Sequence, residues 1–159
     1  MLDAILSKAQ CAECRLCCSF DSYGLFDTPV IVPEAAEGIS GRCPDVEFWD
    51  RGSHRLLKMV KQEEGDVYLC PLLDPCSGCR MGDEKPFDCR IWPLRIMERE
   101  GRLVIALSML CPEVKKLSPE QVRGTAEALS GQLFEYAHKY PCAVRPYSGD
   151  CLVLVTESV

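Results

Sequence analysis

The chain holds 159 residues, of which 12 are cysteine; that is about 7.5%, close to the level that marks a cysteine-built scaffold. Its 18 basic and 24 acidic side chains leave a net charge of −6, which argues against DNA or RNA as a partner because nucleic-acid-binding domains carry a basic surplus. A chain of this length buries roughly two-thirds of its unfolded surface and can form one apolar core unaided, so the cysteines need a reason other than bare stability.

In chain order, Leu2, Ile5, Leu6 and Ala9 recur at helical spacing and predict a short amphipathic helix over residues 2–10, leading into a first cysteine group. No apolar run reaches 18 residues, and the opening stretch has an early acid and no basic region; neither a membrane span nor a signal peptide is expected. From Ser19 to Pro44 the Gly, Pro and Asp content reads as loop with one short strand at Val30-Ile31-Val32. Val46, Trp49, Leu56, Leu57 and Val60 among charges predict a helix starting near Phe48 or Ser53 and ending at Gly65-Asp66. Val67 to Leu69 reads as a strand delivering Cys70-Pro71, and Asp74 to Asp88 as a turn-rich cysteine loop. Glu100-Gly101 between Leu94–Arg99 and Arg102–Leu110 predicts a β-hairpin, apolar on both faces of its second arm. Ser118, Pro119 and Gln121 supply the start of a long helix over 118–139, with Val122, Ala126, Leu129, Leu133, Tyr136, Ala137 and Tyr140 along one stripe. Leu152 to Thr156 forms a last strand. These elements describe a small single α+β domain over 1–159, soluble and cytoplasmic, with a β-hairpin, a long C-terminal helix and cysteine-rich loops.

In the cytosol thiols stay reduced, so this density of cysteine points to metal binding or catalysis ahead of disulfides. Cys11, Cys14, Cys17 and Cys18 crowd into eight residues, where bridges among them would close strained loops. The two-residue gaps instead let a tight turn bring sulfurs onto one ion or cluster, as in the loops that wrap three corners of a 4Fe-4S cube. Such loops take a ligand from a distant Cys-Pro step, and this chain has three: Cys43-Pro44, Cys70-Pro71 and Cys111-Pro112.

A second block runs Cys70-Pro71-Leu72-Leu73, Cys76-x2-Cys79, then Cys89-Arg90-Ile91-Trp92-Pro93. Together the two blocks, over roughly residues 11–112, resemble the YkgJ-type CxxCxxCC cysteine-cluster family. Its members are described as zinc- or iron-chelating domains, and one branch is similar to the cysteine-rich part of flagellin lysine N-methylase. The resemblance implies Cys11, Cys14, Cys17, Cys18, Cys70, Cys79 and Cys89 as ligands, with Arg90 and Pro93 shaping the site and Cys111 matching a further family cysteine. The chain departs from the family where Met81-Gly82-Asp83 and Lys85-Pro86 replace an Ile-Tyr-Glu stretch and an Arg-Pro pair, and Cys76 is an addition.

Eight ligand cysteines make two sets of four, which suits two 4Fe-4S clusters or two zinc sites. Adjacent Cys17 and Cys18 point in opposite directions and so serve two neighbouring centres more naturally than one. Arg15, Arg80 and Arg90 are candidates to offset cluster charge. For Cys43, Cys76, Cys142 and Cys151 a buried thiol that packs as a small apolar residue is an equal alternative to a ligand. His54 and His138 read as surface residues, and no Gly-rich phosphate loop occurs. The expectation is a cysteine-ligated iron-sulfur protein acting in electron transfer or beside a modifying enzyme as its protein partner. A zinc-binding interaction module and a cluster-dependent, methyltransferase-like enzyme are the alternatives.

Overall fold

The computed structural model describes residues 2, 13–21, 28–63 and 65–158. The predicted helix at 2–10 falls outside them except for Leu2, and so does Cys11. The chain divides into two compact units, one drawn from Ala9–Cys89 and the other from Arg90–Val159. The architecture is mixed α+β, with several antiparallel sheets and a long C-terminal helix.

The first unit is built of short pieces. Strand β1 (Ser19–Phe20) pairs antiparallel with β5 (Tyr68–Leu69), which also pairs with β4 (Val60–Lys61). Strands β2 (Phe48–Asp50) and β3 (Arg55–Leu57) form a hairpin, and β6 (Leu73–Asp74) and β7 (Gly78–Cys79) form another. The helix predicted after Phe48 is therefore a hairpin instead. Gly52 takes a φ of 80°, which favours glycine, and its N–H is held by the Asp50 carboxylate at 2.7 Å, so the chain reverses where a helix would run on. Trp49 then faces Leu56 and Phe48 faces Leu57 across the pair. The acidic stretch around Gly65 is a turn between β4 and β5 and not a helix end.

Residues 33–42, expected as loop, form helix α1 (Pro33–Arg42). Pro33 at its start needs no N–H partner, and Glu34 in the first turn and Arg42 in the last complement the helix dipole. Ala36 and Ile39 turn inward, and that burial outweighs the helix-weakening Gly38 and Gly41. The predicted strand at Val30–Val32 is a single bridge, Ile31 to Arg55. Phe20, Ile31, Ile39, Leu57, Leu72 and Met81 belong to a core that also takes in Cys43 and Cys70, with Cys18 and Cys79 packed against it.

Helix α2 (Phe87–Ile91) carries Cys89. It is anchored by Asp88, whose carboxylate accepts the Val30 N–H at 2.9 Å.

The second unit is regular. Strands β8 (Leu94–Arg99) and β9 (Arg102–Ser108) form the predicted hairpin, with Glu100 and Gly101 at φ 55° and 75° in the turn. The second arm ends at Ser108, two residues early, and Met109 and Leu110 are exposed beyond it. Sheet order is β10 (Arg145–Pro146), β8, β9, β11 (Cys151–Thr156), with only β10 and β8 parallel. Helix α3 (Pro119–Lys139) packs on β8, β9 and β11, burying Val122, Ala126, Leu133, Phe134 and Ala137. Its capping box is formed as predicted: Gln121 N–H to Ser118 Oγ at 3.2 Å, and Ser118 N–H to the Gln121 side chain at 3.0 Å. Where β11 bulges between Val153 and Val155, the Arg123 guanidinium donates to the Leu154 carbonyl at 2.8 Å.

Candidate metal centre

The N-terminal thiols are presented by a tight curl. Arg15 takes a left-handed φ of 53°, at a cost of about 1–2 kcal/mol for a residue with a Cβ, and the Cys18 N–H returns to the Arg15 carbonyl at 2.9 Å. Cys17 and Cys18 thereby occupy one short 3-10 turn, Leu16–Cys18. The pairing of β1 with β5 then carries Cys18 to Cys70, whose N–H donates to the Cys18 carbonyl at 2.9 Å. Hairpin β6–β7 returns Cys79 beside Leu73, and α2 brings in Cys89.

Five thiols interact electrostatically in this way. Cys17 hydrogen-bonds Cys18, and Cys18 hydrogen-bonds Cys70. Cys18 also feels Cys79, and Cys89 feels Cys17, Cys18 and Cys79. The Cys17 thiol is pushed far above the ordinary thiol range, first by its hydrogen bond with Cys18, then by desolvation and the neighbouring charge of Cys18; Lys85 acts in the opposite sense. For Cys18 the bond with Cys17 lowers the pKa, but the bond with Cys70 and desolvation outweigh it and leave the thiol pushed up to about 12. Burial pushes Cys89 well up, with the charges of Cys18, Asp88, Cys17 and Cys79 adding to it. Each extra negative sulfur here is costly without a cation.

Cys14 and Cys76 are exposed thiols. The loops that carry them are tied by the Arg15 guanidinium, which donates to the Pro75 carbonyl. Asp74 shapes the second loop by accepting from the N–H groups of Cys76 and Ser77 and from the Ser77 hydroxyl. Cys14, Cys17, Cys18, Cys43, Cys70, Cys76, Cys79, Cys89 and Cys111 are free thiols, with no disulfide among them. Cys111 belongs to the second unit, where it is buried after β9, and Cys142 and Cys151 lie in the same unit.

Of the shaping residues, Arg90 is exposed on α2 and Pro93 is buried before β8, its carbonyl accepting the Ser108 N–H at 2.9 Å. Arg80, expected near cluster charge, makes a two-pronged ion pair with Asp45 at 2.7 and 2.6 Å, and Arg15 serves the Pro75 carbonyl. Sequence spacing gave no sign of Asp45, 35 residues from its partner, or of Lys85 beside Cys17; the aspartate before Cys89 was the one local hint of an anchor. His138 is exposed and pairs with Glu157 at 2.8 Å, and His54 meets Ser53 at 3.1 Å.

Among the described residues, no three His, Cys, Asp or Glu side chains close into a metal site. The fit lies in the chemistry of the donors: Cys70 in the company of Leu72, Met81 and Phe20, Cys18 and Cys79 packed against that core, and Cys17 and Cys89 in electrostatic contact with them form a soft set suited to zinc or an iron-sulfur cluster. Among the described residues no helix is long and apolar enough to cross a membrane. Comparison with family models, curated proteins and solved structures finds no match.

Proposed function

We propose that residues 9–89 form a thiolate-ligated metal-binding unit that carries an iron-sulfur cluster, for electron transfer or in support of a modifying enzyme. The observation that supports this reading is that Cys70 lies in an apolar core with Cys18 and Cys79 packed against it, while Cys17 and Cys89, from the same three stretches of chain, interact electrostatically with those thiols. Packing alone does not ask for sulfur at five such places, whereas a soft ion does. The Cys11-x2-Cys14-x2-Cys17 spacing, which resembles cube-wrapping loops, favours iron-sulfur over zinc. When bound, such a cluster supplies one-electron chemistry; the chain's own part is to gather the sulfurs, exclude water with Leu72 and Met81, and set positive charge from Lys85 beside Cys17.

The test is metal and acid-labile sulfide analysis of the full chain prepared without oxygen. Iron and sulfide in equal amounts, with bleaching of the visible colour on reduction, is the expected result. Stoichiometric zinc without sulfide transfers the site to the zinc reading, and absence of both overturns it. Cys14→Ser and Cys89→Ser should each lose about one centre's metal, while Cys142→Ser should keep the wild-type content; equal content in all three breaks the ligand assignment.

A further inference from the structure

The ladder between β1 and β5 runs one step past its last strand position. Ser19 faces Leu69 and Phe20 faces Tyr68, so the next residues in register are Cys18 and Cys70. The Cys70 N–H donates to the Cys18 carbonyl at 2.9 Å, which makes them a directly opposed, hydrogen-bonded pair. Opposed residues of an antiparallel pair send their side chains to one face, and residues two apart along a strand share it. That face is the core side: Phe20 and Cys70 are buried in the core, and Cys18 and Tyr68 pack against it. The two thiols also hydrogen-bond each other. A pair of this kind has its Cα atoms about 5.5 Å apart, inside the roughly 4.4–6.8 Å that a disulfide spans. Cys17, the other thiol in contact with Cys18, is its chain neighbour, and a bridge there would close a strained ring.

We propose that Cys18 and Cys70 form a reversible cross-strand disulfide when the unit is without metal under oxidising conditions, a redox switch that withdraws two sulfurs from the metal-binding group and pins β1 to β5 in place of the ion. The bridge follows from the register alone; its coupling to metal rests on the reading above. The oxidant is a low-molecular-weight disulfide such as oxidised glutathione. Cys18 is half-buried and Cys70 buried, so the reagent reaches Cys18 first. The Cys18 sulfur, giving up its proton, attacks one glutathione sulfur; that S–S bond breaks, one glutathione leaves as thiol, and a mixed disulfide remains. The Cys70 sulfur, losing its proton in turn, attacks the Cys18 sulfur and expels the second glutathione. Two protein thiols are oxidised to one disulfide, one glutathione disulfide is reduced to two thiols, and both protons end on glutathione. Disulfides of this transient, redox-sensing kind are the ones met in reducing compartments.

The experiment exposes the full chain to oxidised glutathione in two samples, one saturated with zinc(II) and one receiving chelator together with the oxidant. Free thiols are then alkylated, the chain is digested, and fragment-ion sequencing locates each bridged sulfur. In the chelated sample the Cys18–Cys70 bridge is expected to be the dominant intramolecular disulfide and to disappear on treatment with dithiothreitol. Cys17→Ser should still form it, and Cys70→Ser should stop at the glutathione adduct of Cys18. A dominant Cys17–Cys18 bridge, a scrambled mixture, or adducts without any bridge overturns the proposal. The zinc-saturated sample should form the bridge many-fold more slowly. If zinc binds and the bridge forms equally fast in both samples, the switch is overturned while the metal-binding reading stands. If the chain takes up no zinc or iron yet forms the bridge, the metal-binding reading falls and the cross-strand disulfide remains.

Discussion

The two units solve the same problem with different means. Residues 90–159 hold strands of six and seven residues in continuous register under a 21-residue helix, so hydrogen-bond ladders and apolar side chains determine the arrangement together. Residues 9–89 have strands of only two or three residues, and a core that runs into thiols. Strands so short close few ladder bonds each, and small sheets are marginal on their own. The lesson is that the first unit leans on side-chain burial, with thiols in its core, where the second leans on secondary structure.

The sharpest way to break this contrast is to strip metal. In our reading chelation under reducing conditions should open the first unit. Structural thiolate sites contribute on the order of 10 kcal/mol to folding when the ion is zinc. Amide exchange should speed up by orders of magnitude in β1, β5, β6 and β7 and change little in β8, β9 and α3. Equal acceleration in both units would erase the distinction. Next in size, Ile105→Ala in β9, where the side chain is fully buried, should cost the second unit about 2–5 kcal/mol in denaturant unfolding while leaving metal content intact. A loss of metal in that variant would show that the two units do not behave separately.

The smallest effect is electrostatic. Hydrogen bonding from Arg80 chiefly, and from the backbone, lowers the Asp45 carboxyl to about 2 from an ordinary value of 3.8. A depressed carboxylate stabilises the fold above its unfolded pKa and loses that contribution as pH falls from about 4 towards 2. Both groups are solvent-facing, so the effect is small. Asp45→Asn should flatten this part of the acid-unfolding curve of the first unit; an unchanged curve would remove Asp45 from the account.

What the sequence disclosed follows the same division. The hairpin at 94–108 and the helix at 119–139 announce themselves through local chemistry, Glu100-Gly101 in one case and Ser118-Pro119-Gln121 in the other, and both formed where expected. In the first unit local cues misled. Trp49, Leu56, Leu57 and Val60 are spaced as on a helix, but the Asp50 carboxylate on the Gly52 N–H decides for a turn. Helix α1 was hidden by two glycines whose cost is offset by the burial of Ala36 and Ile39, which only the tertiary fold provides. Cysteine spacing singled out Cys17 and Cys18, since turn geometry makes such gaps chemically meaningful, and the resemblance added Cys70, Cys79 and Cys89. It carried no trace of the Arg80–Asp45 pair, or of Cys43 sharing a core with Cys70, because both depend on segments far apart in the chain.

One main-chain bond has a consequence for speed. Because the amide of Cys70 rests on the carbonyl of Cys18, the long excursion between these two cysteines is closed by backbone. In the metal-binding reading, an ion that arrives while this bond is still in place does not have to wait for distant segments to find each other, nor surrender the entropy of closing that loop. Uptake should therefore run at the pace of ligand exchange on the metal just after the ion is withdrawn, and slow once the unit has opened and the bond is lost.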